Sequence, residues 1–203
     1  MSGPPTVWAL IPIKASGEGK TRLADALSVA ERDALVDAMA RHVAGAAAGA
    51  ERVSRIVLAG PSRHGLDADI LRIDDPGEGL NAALGSALAR IARMEACPDR
   101  LIVVAADLPR ITPLDLNLLA EAPAHTAVIA PDRHGTGTNA LSLPLPEAAG
   151  FHFCYGTDSA ARHREEAERL GLTVETILSE GLEKDIDEPS DLVDARDVYT
   201  IEH

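Results

Sequence analysis

The sequence is poor in aromatic residues and in cysteine. Phe, Trp and Tyr make up 2% of 203 residues, so a hydrophobic core has to be built from Leu, Ile, Val and Ala. The two cysteines, Cys97 and Cys154, are too few for a disulfide framework and lack metal-ligand spacing. We therefore expect both thiols to be reduced and buried in a cytoplasmic protein.

Long hydrophobic runs and excess positive charge are also missing. No apolar run approaches the roughly 18 residues of a membrane span, and the N-terminus MSGPPTVWALIP has neither the basic start nor the apolar core of a signal peptide. The formal net charge of −13 argues against nonspecific nucleic-acid binding, because a polyanion would be repelled. We expect no nucleic-acid or membrane partner.

Lysine is scarce as well, and its placement is uneven. Of 19 basic residues only Lys14, Lys20 and Lys184 are lysines. Two of them belong to one loop near the N-terminus, and the third directly precedes the acidic segment Asp185-Ile186-Asp187. Arginine-biased composition explains this placement equally well unless the neighbouring motifs carry chemistry.

Strand and helix patterns alternate along the chain, and the central strands are apolar on both faces. This pattern is typical of a mostly parallel sheet covered by helices. We predict an α/β fold, a three-layer α/β/α sandwich in one domain spanning residues 1–203. The predicted strands are residues 7–13, 55–59, 71–73, 101–106, 127–130, 139–143 and 173–178. The predicted helices are residues 29–48, 80–94, 113–119, 159–170 and 189–198.

The loop after the first strand, IPIKASGEGKTRLA, ends like a P-loop. A P-loop requires glycine five residues before Gly19, where this sequence has Lys14, so the tight wrap of backbone amides cannot form. The loop nevertheless carries Lys14, Lys20 and Arg22 at the ligand-binding edge of the predicted sheet. Their side chains suit a triphosphate, although a solvated basic turn is the alternative.

Three aspartates follow predicted strands. Asp107 comes directly after the apolar run LIVVAA, and Asp185 and Asp187, two residues apart in extended chain, share one face. Converging carboxylates suit Mg²⁺ or Mn²⁺. Taken singly, a capping aspartate and a solvated acidic loop explain them better; together with the basic loop, a metal site does.

Three further segments combine glycine with polar residues. Residues 77–81 (GEGLN) precede a helix, residues 135–139 (GTGTN) present amides and hydroxyls, and residues 155–159 (YGTDS) lead into a helix whose amides suit an anion. A helix cap or an ordinary turn explains each nearly as well. His163, one turn after Ser159, is either a ligand contact or a satisfied surface or interface histidine.

The order of six motifs resembles a known family. IPIK…GKTRLA, GLNAAL, VVAADLPRIT, APDRHGTGTNAL, FCYGTDSAARH and DIDEPSDL are similar, over almost the whole chain, to the 2-phospho-L-lactate guanylyltransferases of coenzyme F-420 biosynthesis and their bacterial phosphoenolpyruvate and 3-phosphoglycerate relatives. The resemblance implies a nucleotidyltransferase of the glycosyltransferase-A-like fold. It also implies transfer of GMP from GTP to a three-carbon phospho-acid, with release of pyrophosphate.

The resemblance also assigns roles to residues. It implies triphosphate contacts and catalysis for Lys14, Lys20 and Arg22, and a catalytic role for Asp107 as well. It implies nucleotide contacts for Gly79 and Asn81, and binding of the acid by Thr138, Gly156 and Ser159. The implied Mg²⁺ ligands are Asp107, Asp185 and Asp187. Asp158 within the acid-binding motif, and Asp187 where some relatives carry Glu, leave the choice of acid open.

Other functions fit parts of the sequence. A molybdopterin guanylyltransferase or a cytidylyltransferase has the same fold, but the former opens with a glycine-rich loop unlike WALIPIKAS. A noncatalytic GTP-binding module would bind nucleotide and Mg²⁺ without releasing pyrophosphate. The sequence does not define the oligomeric state, for which a homodimer is the default expectation.

Overall fold

The computed structural model describes residues 5–17, 19–66, 70–197 and 199. Within them, strands and helices alternate as follows: β1 Val7–Pro12, α1 Val29–Gly49, β2 Val53–Ala59, β3 Leu71–Ile73, α2 Leu80–Ile91, β4 Arg100–Val104, α3 Pro113–Ala120, β5 Thr126–Pro131, β6 Thr138–Pro144, α4 Ser159–Arg169, β7 Thr173–Thr176 and α5 Glu180–Glu183. There are also two 3₁₀ segments, Thr21–Leu23 and Pro189–Asp197. The first was not predicted, and the second was predicted as a helix without its 3₁₀ form. Val198, the expected end of the last helix, and Glu18 of the basic loop lie outside the described residues.

The strands form one sheet in the order β3-β2-β1-β4-β6-β5-β7. Four of the six pairings are parallel, which confirms the predicted mostly parallel α/β sheet. The exception is β6, which runs antiparallel to both neighbours, β4 and β5. Only a six-residue turn separates β5 from β6, and a short connection can join adjacent strands only in antiparallel orientation.

Helices cover both faces of the sheet, so successive residues of the central strands enter two different cores. Ile102 of β4 packs in a cluster with α1 and α3, and its neighbour Leu101 packs in a cluster with α2. All five residues of β4 are buried. This double burial is the reason for the apolar run at residues 101–104, which follows the buried Arg100 at the start of the strand.

Local signals position several helix ends. Ser28 forms the predicted capping box with Glu31 at the start of α1. Thr112 forms a second capping box with Asp115 at the start of α3. Helix α2 ends at Ile91, three residues before the predicted Met94, because the helical backbone hydrogen bonds give way there to turns.

Two other expectations concern burial and membranes. Cys97 and Cys154 are only half-buried, so the expectation of buried thiols was wrong for both. Cys154 belongs to the loop before α4 and Cys97 to the turn before β4. Across the described ranges, no helix has the combined length and hydrophobicity that crossing a membrane requires.

Candidate active site

The basic loop after β1 is held in place by a buried arginine. Arg63, in the loop after β2, is 8% exposed and donates to the carbonyl oxygens of Lys14 (3.1 Å) and Ala15 (3.2 Å). Its guanidinium also pairs with Asp33 and Asp37 of α1, at 3.2 and 3.3 Å. The backbone that carries the lysines is therefore anchored to both β2 and α1.

Asp33 secures the far side of the same loop. Its carboxylate accepts hydrogen bonds from the Gly17 N–H, at 2.9 Å, and from the Ser16 hydroxyl. These bonds, Gly17 first and Ser16 second, lower the pKa of Asp33 below its ordinary value. Ser16 and Gly17 of the basic loop are thus partners of a charged side chain.

Lys20 carries its ammonium group into the acidic cluster. Its backbone is left-handed (φ 54°, ψ 43°), which is uncommon for a residue other than glycine. The ammonium pairs with Asp107 and, at 3.1 Å, with Asp187. Burial alone would lower the pKa of Lys20, but Asp107 and then Asp187 outweigh it and raise the pKa above its ordinary value. Lys20 therefore bears a positive charge between two carboxylates.

The three predicted metal ligands converge. One carboxylate oxygen each from Asp107, Asp185 and Asp187 lies within 4.8 Å of the others. Burial, followed by repulsion from Asp107 and Asp187, raises the pKa of Asp185 to about 6. Oxygen donors that stay close despite this repulsion are the ligand set that hard divalent cations take. The residues present therefore fit a Mg²⁺ or Mn²⁺ ion.

An ion pair between Arg133 and the buried Asp191 fixes the segment that carries Asp187. Asp191 is 3% exposed and accepts hydrogen bonds from the Asp187 N–H (3.0 Å) and the Glu188 N–H (2.8 Å). Arg133 donates to both carboxylate oxygens of Asp191, at 2.5 and 3.2 Å. Since Arg133 belongs to the β5–β6 turn, this pair connects the segment that carries Asp187 to the GTGT loop.

A cavity of about 360 Å³ lies beside these groups, at the carboxyl ends of β1 and β4. Its lining includes all three predicted triphosphate contacts and two of the predicted metal ligands: Lys14, Lys20, Arg22, Asp107 and Asp187. Arg22 also approaches Asp187, at 3.5 Å. The third lysine of the chain, Lys184, pairs instead with Asp194 at 2.5 Å. Two of the three lysines of the chain therefore line this cavity, and Lys184 does not.

The two predicted nucleotide residues flank the start of α2. Gly79 occupies the N-cap position with φ 92°, a conformation that favours glycine. The side-chain amide of Asn81 forms two hydrogen bonds with the backbone of Tyr155. Its Nδ2 donates to the Tyr155 carbonyl (3.1 Å), and its Oδ1 accepts from the Tyr155 N–H (2.8 Å). Asn81 thereby joins the start of α2 to the YGTDS loop, and a nucleotide contact by either residue stays a prediction.

The predicted acid-binding residues also meet. The Ser159 and Thr138 hydroxyls are 3.1 Å apart, and Thr138 Oγ1 lies 3.0 Å from His163 Nδ1. Gly156, with φ 123°, forms the turn that leads into α4. His163 is fully buried, so the expectation of a surface or interface histidine was wrong. Burial first, and then Arg162, lower the pKa of His163 to about 4 against the opposing effect of Glu166.

Four of the amides that the sequence suggested for anion binding are occupied. Asp132 Oδ1 accepts hydrogen bonds from the N–H groups of Thr136 (3.0 Å) and Gly137 (2.9 Å) in the GTGT loop. At the start of α4, the Ser159 N–H donates to Gly156 and the Ala160 N–H to Thr136. The Thr138 and Ser159 hydroxyls lie at the junction of these two segments.

The acidic cluster and the hydroxyl pair lie at the same edge of the sheet. The β4–β6 ladder continues past its last residue pair, where the Ala105 N–H donates to the Asn139 carbonyl at 2.8 Å. Thr138 is next to Asn139, and Asp107 is two residues after Ala105. The Ile186 N–H donates to the Asp107 carbonyl at 3.3 Å, which brings the third segment to the same place.

Sequence reasoning missed four residues that hold this site together: Arg63, Asp33, Arg133 and Asp191. All four are charged residues with multiple partners, and charged side chains are seldom buried unless paired. Arg63 and Arg133 offered one available signal, since each follows a strand at its carboxyl end. Their partners lie 30 and 58 residues away along the chain, so no local pattern identifies the pairs.

Comparison with known proteins identifies relatives along most of the chain. The chain is 36% identical over 195 residues to a phosphoenolpyruvate guanylyltransferase of Sphaerobacter thermophilus, covering 92% of this chain and 91% of that one. Identity to a phosphoenolpyruvate guanylyltransferase of Chloroflexus aurantiacus is 41% over 189 residues, covering 90% of each. A 2-phospho-L-lactate guanylyltransferase of Natrialba magadii is 35% identical over 187 residues, covering 86% and 77%.

Solved structures confirm the nucleotidyltransferase fold. A crystal structure of 4-diphosphocytidyl-2C-methyl-D-erythritol synthase superposes with a TM-score of 0.63 at 14% identity, covering 95% of this chain and 98% of that one. Residues 7–196 match the family model described as "Guanylyl transferase CofC like". With relatives at 35–41% identity along most of its length, the chain belongs to the CofC-like guanylyl transferase family.

Proposed function

We propose that this protein transfers GMP from GTP to the phosphate of a three-carbon phospho-acid and releases pyrophosphate. Phosphoenolpyruvate is the first candidate acid because relatives named for it match at 36% and 41% identity. 2-Phospho-L-lactate and 3-phospho-D-glycerate are the other two. The proposal includes a cytoplasmic location and a role in coenzyme F-420 biosynthesis, both of which rest on the sequence and its family.

One observation carries the proposal: the basic loop lines a single cavity together with Asp107 and Asp187 of the aspartate cluster, at the sheet edge where the hydroxyl pair also lies. A nucleotide tail and an anionic acid must approach one another in this reaction, so neutralising their charge is the main requirement. Lys14 and Arg22 are exposed and able to reach a triphosphate from solvent. Lys20, whose ammonium group pairs with Asp107 and Asp187, is positioned more rigidly than Lys14 or Arg22.

Asp107, Asp185 and Asp187 would hold the divalent cation. Mg²⁺ bound there would offset the charge on the triphosphate and on the departing pyrophosphate. Arg133 and Asp191 keep the Asp187 segment in place. Lys20 neutralises part of the cluster's own repulsion, which would otherwise drive the three carboxylates apart.

The chemical step is an in-line displacement at the α-phosphorus of GTP. A phosphate oxygen of the acid forms the new P–O bond, and the bond from the α-phosphorus to the bridging oxygen of the β-phosphate breaks, so pyrophosphate leaves with the electron pair. The attacking phosphate is already ionised at neutral pH and needs no general base. Positioning and charge neutralisation are therefore sufficient tasks for the residues present.

The decisive experiment is a matrix of GTP, ATP, CTP and UTP against the three acids, with Mg²⁺, in which pyrophosphate release and product mass are measured. We expect product only with GTP and one or two of the acids. Binding of GTP without pyrophosphate from any acid would establish the noncatalytic module instead. Transfer from CTP would establish a cytidylyltransferase.

An Asp107→Asn variant tests the role of the cluster. We expect it to lower pyrophosphate release at least about a hundredfold, the usual cost of removing a charge-stabilising group from such a site. The matched control is Glu175→Gln, the same loss of charge at an exposed position of β7, three strands from β4. Circular dichroism establishes that both variants are folded, and near-normal turnover by Asp107→Asn would overturn the proposed metal role.

A further inference from the structure

The buried ring of His163 has a defined tautomer. Its Nε2 lies 2.8 Å from the Cys154 backbone nitrogen, which can only donate a hydrogen bond. Nε2 must therefore be the unprotonated nitrogen and accept that bond. In a neutral ring the proton then resides on Nδ1, which faces Thr138 Oγ1 at 3.0 Å and donates to it.

The ring is neutral because of its surroundings. His163 is fully buried, and it packs edge-on against Tyr155 with ring centroids 4.8 Å apart. It also lies near Phe151 and Phe153, at 5.8 and 6.5 Å. A largely aromatic environment disfavours the imidazolium form, and the pKa near 4 agrees with this packing.

A count of protons shows what this tautomer does to the neighbouring hydroxyls. Nδ1–H, Thr138 and Ser159 contribute three protons to a chain that contains two internal hydrogen bonds. Whichever way the two hydroxyls turn, one hydroxyl proton is left to point outside the chain. With the opposite tautomer, Thr138 would donate to Nδ1 and Ser159 to Thr138, and no proton would be left.

Nothing in the described part of the chain accepts that remaining proton. The hydroxyls of Thr138 and Ser159 have no hydrogen-bond partner there beyond each other and His163. The two side chains are 6% and 2% exposed, so leaving the proton unpaired costs free energy that a bound anion would recover. Their location beside the end of β4 places this donor near Asp107.

We propose that His163 is a positioning residue of the acid-binding site, whose fixed Nδ1–H tautomer makes the Thr138–Ser159 hydroxyl pair a net donor to one anionic oxygen of the phospho-acid. This inference rests on the proposed function for the identity of the ligand. The tautomer itself does not depend on it. His163 touches no reacting atom and acts only through the hydroxyls.

Two variants test the donor at the Nδ1 position. Asn can place its amide nitrogen there and donate to Thr138, whereas the carboxylate of Asp can only accept from Thr138 and therefore uses the spare hydroxyl proton. We expect His163→Asp to raise the KM for the acid roughly ten- to a hundredfold, the effect of one hydrogen bond to a charged group. The KM for GTP should stay within about twofold.

His163→Asn should keep the KM for the acid within about threefold of that of the unmodified protein. The matched control is His152→Asp, the same change at an exposed histidine of the loop before α4, which should leave both KM values unchanged. Equal effects of His163→Asp and His163→Asn on the KM for the acid, or equal effects of His163→Asp on the acid and on GTP, would overturn the inference.

A spectrum of the unmodified protein provides a readout that needs no turnover and no folded variant. In ¹⁵N-histidine-labelled protein we expect His163 to show a protonated Nδ1 and an unprotonated Nε2 from pH 7 to 5. Adding phosphoenolpyruvate should shift its Nδ1 resonance. A protonated Nε2, or no shift at saturating phosphoenolpyruvate, contradicts the inference, whereas a matrix without any product while this spectrum holds contradicts only the proposed function.

Discussion

Acid should destabilise this protein through His163 over a defined pH range. The pKa of His163 is about 4 in the fold, lowered chiefly by burial, against 6.5 for an ordinary histidine. At a pH between these values, His163 binds a proton in the unfolded chain but not in the folded protein. The stability contributed by the neutral ring is therefore complete above pH 6.5, falls as the pH is lowered, and stops falling near pH 4.

The size of the effect follows from the two pKa values. Each pH unit between them corresponds to about 1.4 kcal/mol, so lowering the pH from 6.5 to 4 should remove about 3 kcal/mol from the free energy of unfolding. That is a large share of the roughly 5–15 kcal/mol by which domains are stable. The neighbouring carboxyl Glu166 has its pKa lowered to about 2, first by its hydrogen bond with Arg169, and most of its effect lies below this range.

The assay is urea unfolding followed by far-UV circular dichroism at pH 7, 6, 5 and 4, for the unmodified protein and His163→Gln. Other groups titrate in both proteins, so the quantity of interest is the difference in unfolding free energy between them. We expect the advantage of the unmodified protein to shrink by about 3 kcal/mol from pH 7 to pH 4. A difference that does not change with pH would refute the reasoning.

Two further predictions concern the scaffold. Gly60→Ala should lower the free energy of unfolding by at least about 2 kcal/mol, because a Cβ there would lie 2.1 Å from the Ile13 carbonyl oxygen at φ +124°. Gly85→Ala, in open space within α2, should raise it by about 0.5–1 kcal/mol, and an equal effect of both in urea unfolding would contradict this. Asp191→Asn should lower kcat about ten- to a hundredfold and raise the Mg²⁺ concentration for half-maximal activity, since Asn keeps one oxygen for the Asp187 N–H but loses the charge and the second oxygen that bind Arg133. An unchanged Mg²⁺ titration would show that Asp191 does not position this segment.

Much of the fold could be predicted from the sequence because its signals are local. The apolar run before Asp107 is buried on both faces, and the Ser28 capping box begins α1 where expected. The orientation of β6 could not be predicted in the same way. Its residues are fully buried like those of a parallel strand. The short turn makes β6 antiparallel to β5, and the antiparallel pairing with β4 follows from the insertion of β6 between β4 and β5.

The candidate site, too, could be predicted from the sequence only in part. The sequence by itself determined which residue types are available: a basic loop after β1, aspartates after β4 and before the last 3₁₀ segment, and hydroxyls in two glycine-containing turns. Ordered motifs of this kind also determined the family. These are properties of short segments, and a segment's position relative to a strand end is readable from its neighbours.

Only the tertiary structure decided how these residues are paired. Lys20 reaches carboxylates 87 and 167 residues away, and the proton on the His163 ring follows from a backbone N–H in a separate loop. The physical reason is that charge and hydrogen-bond partners act over a few ångströms in space. Folding sets those distances, and sequence separation does not.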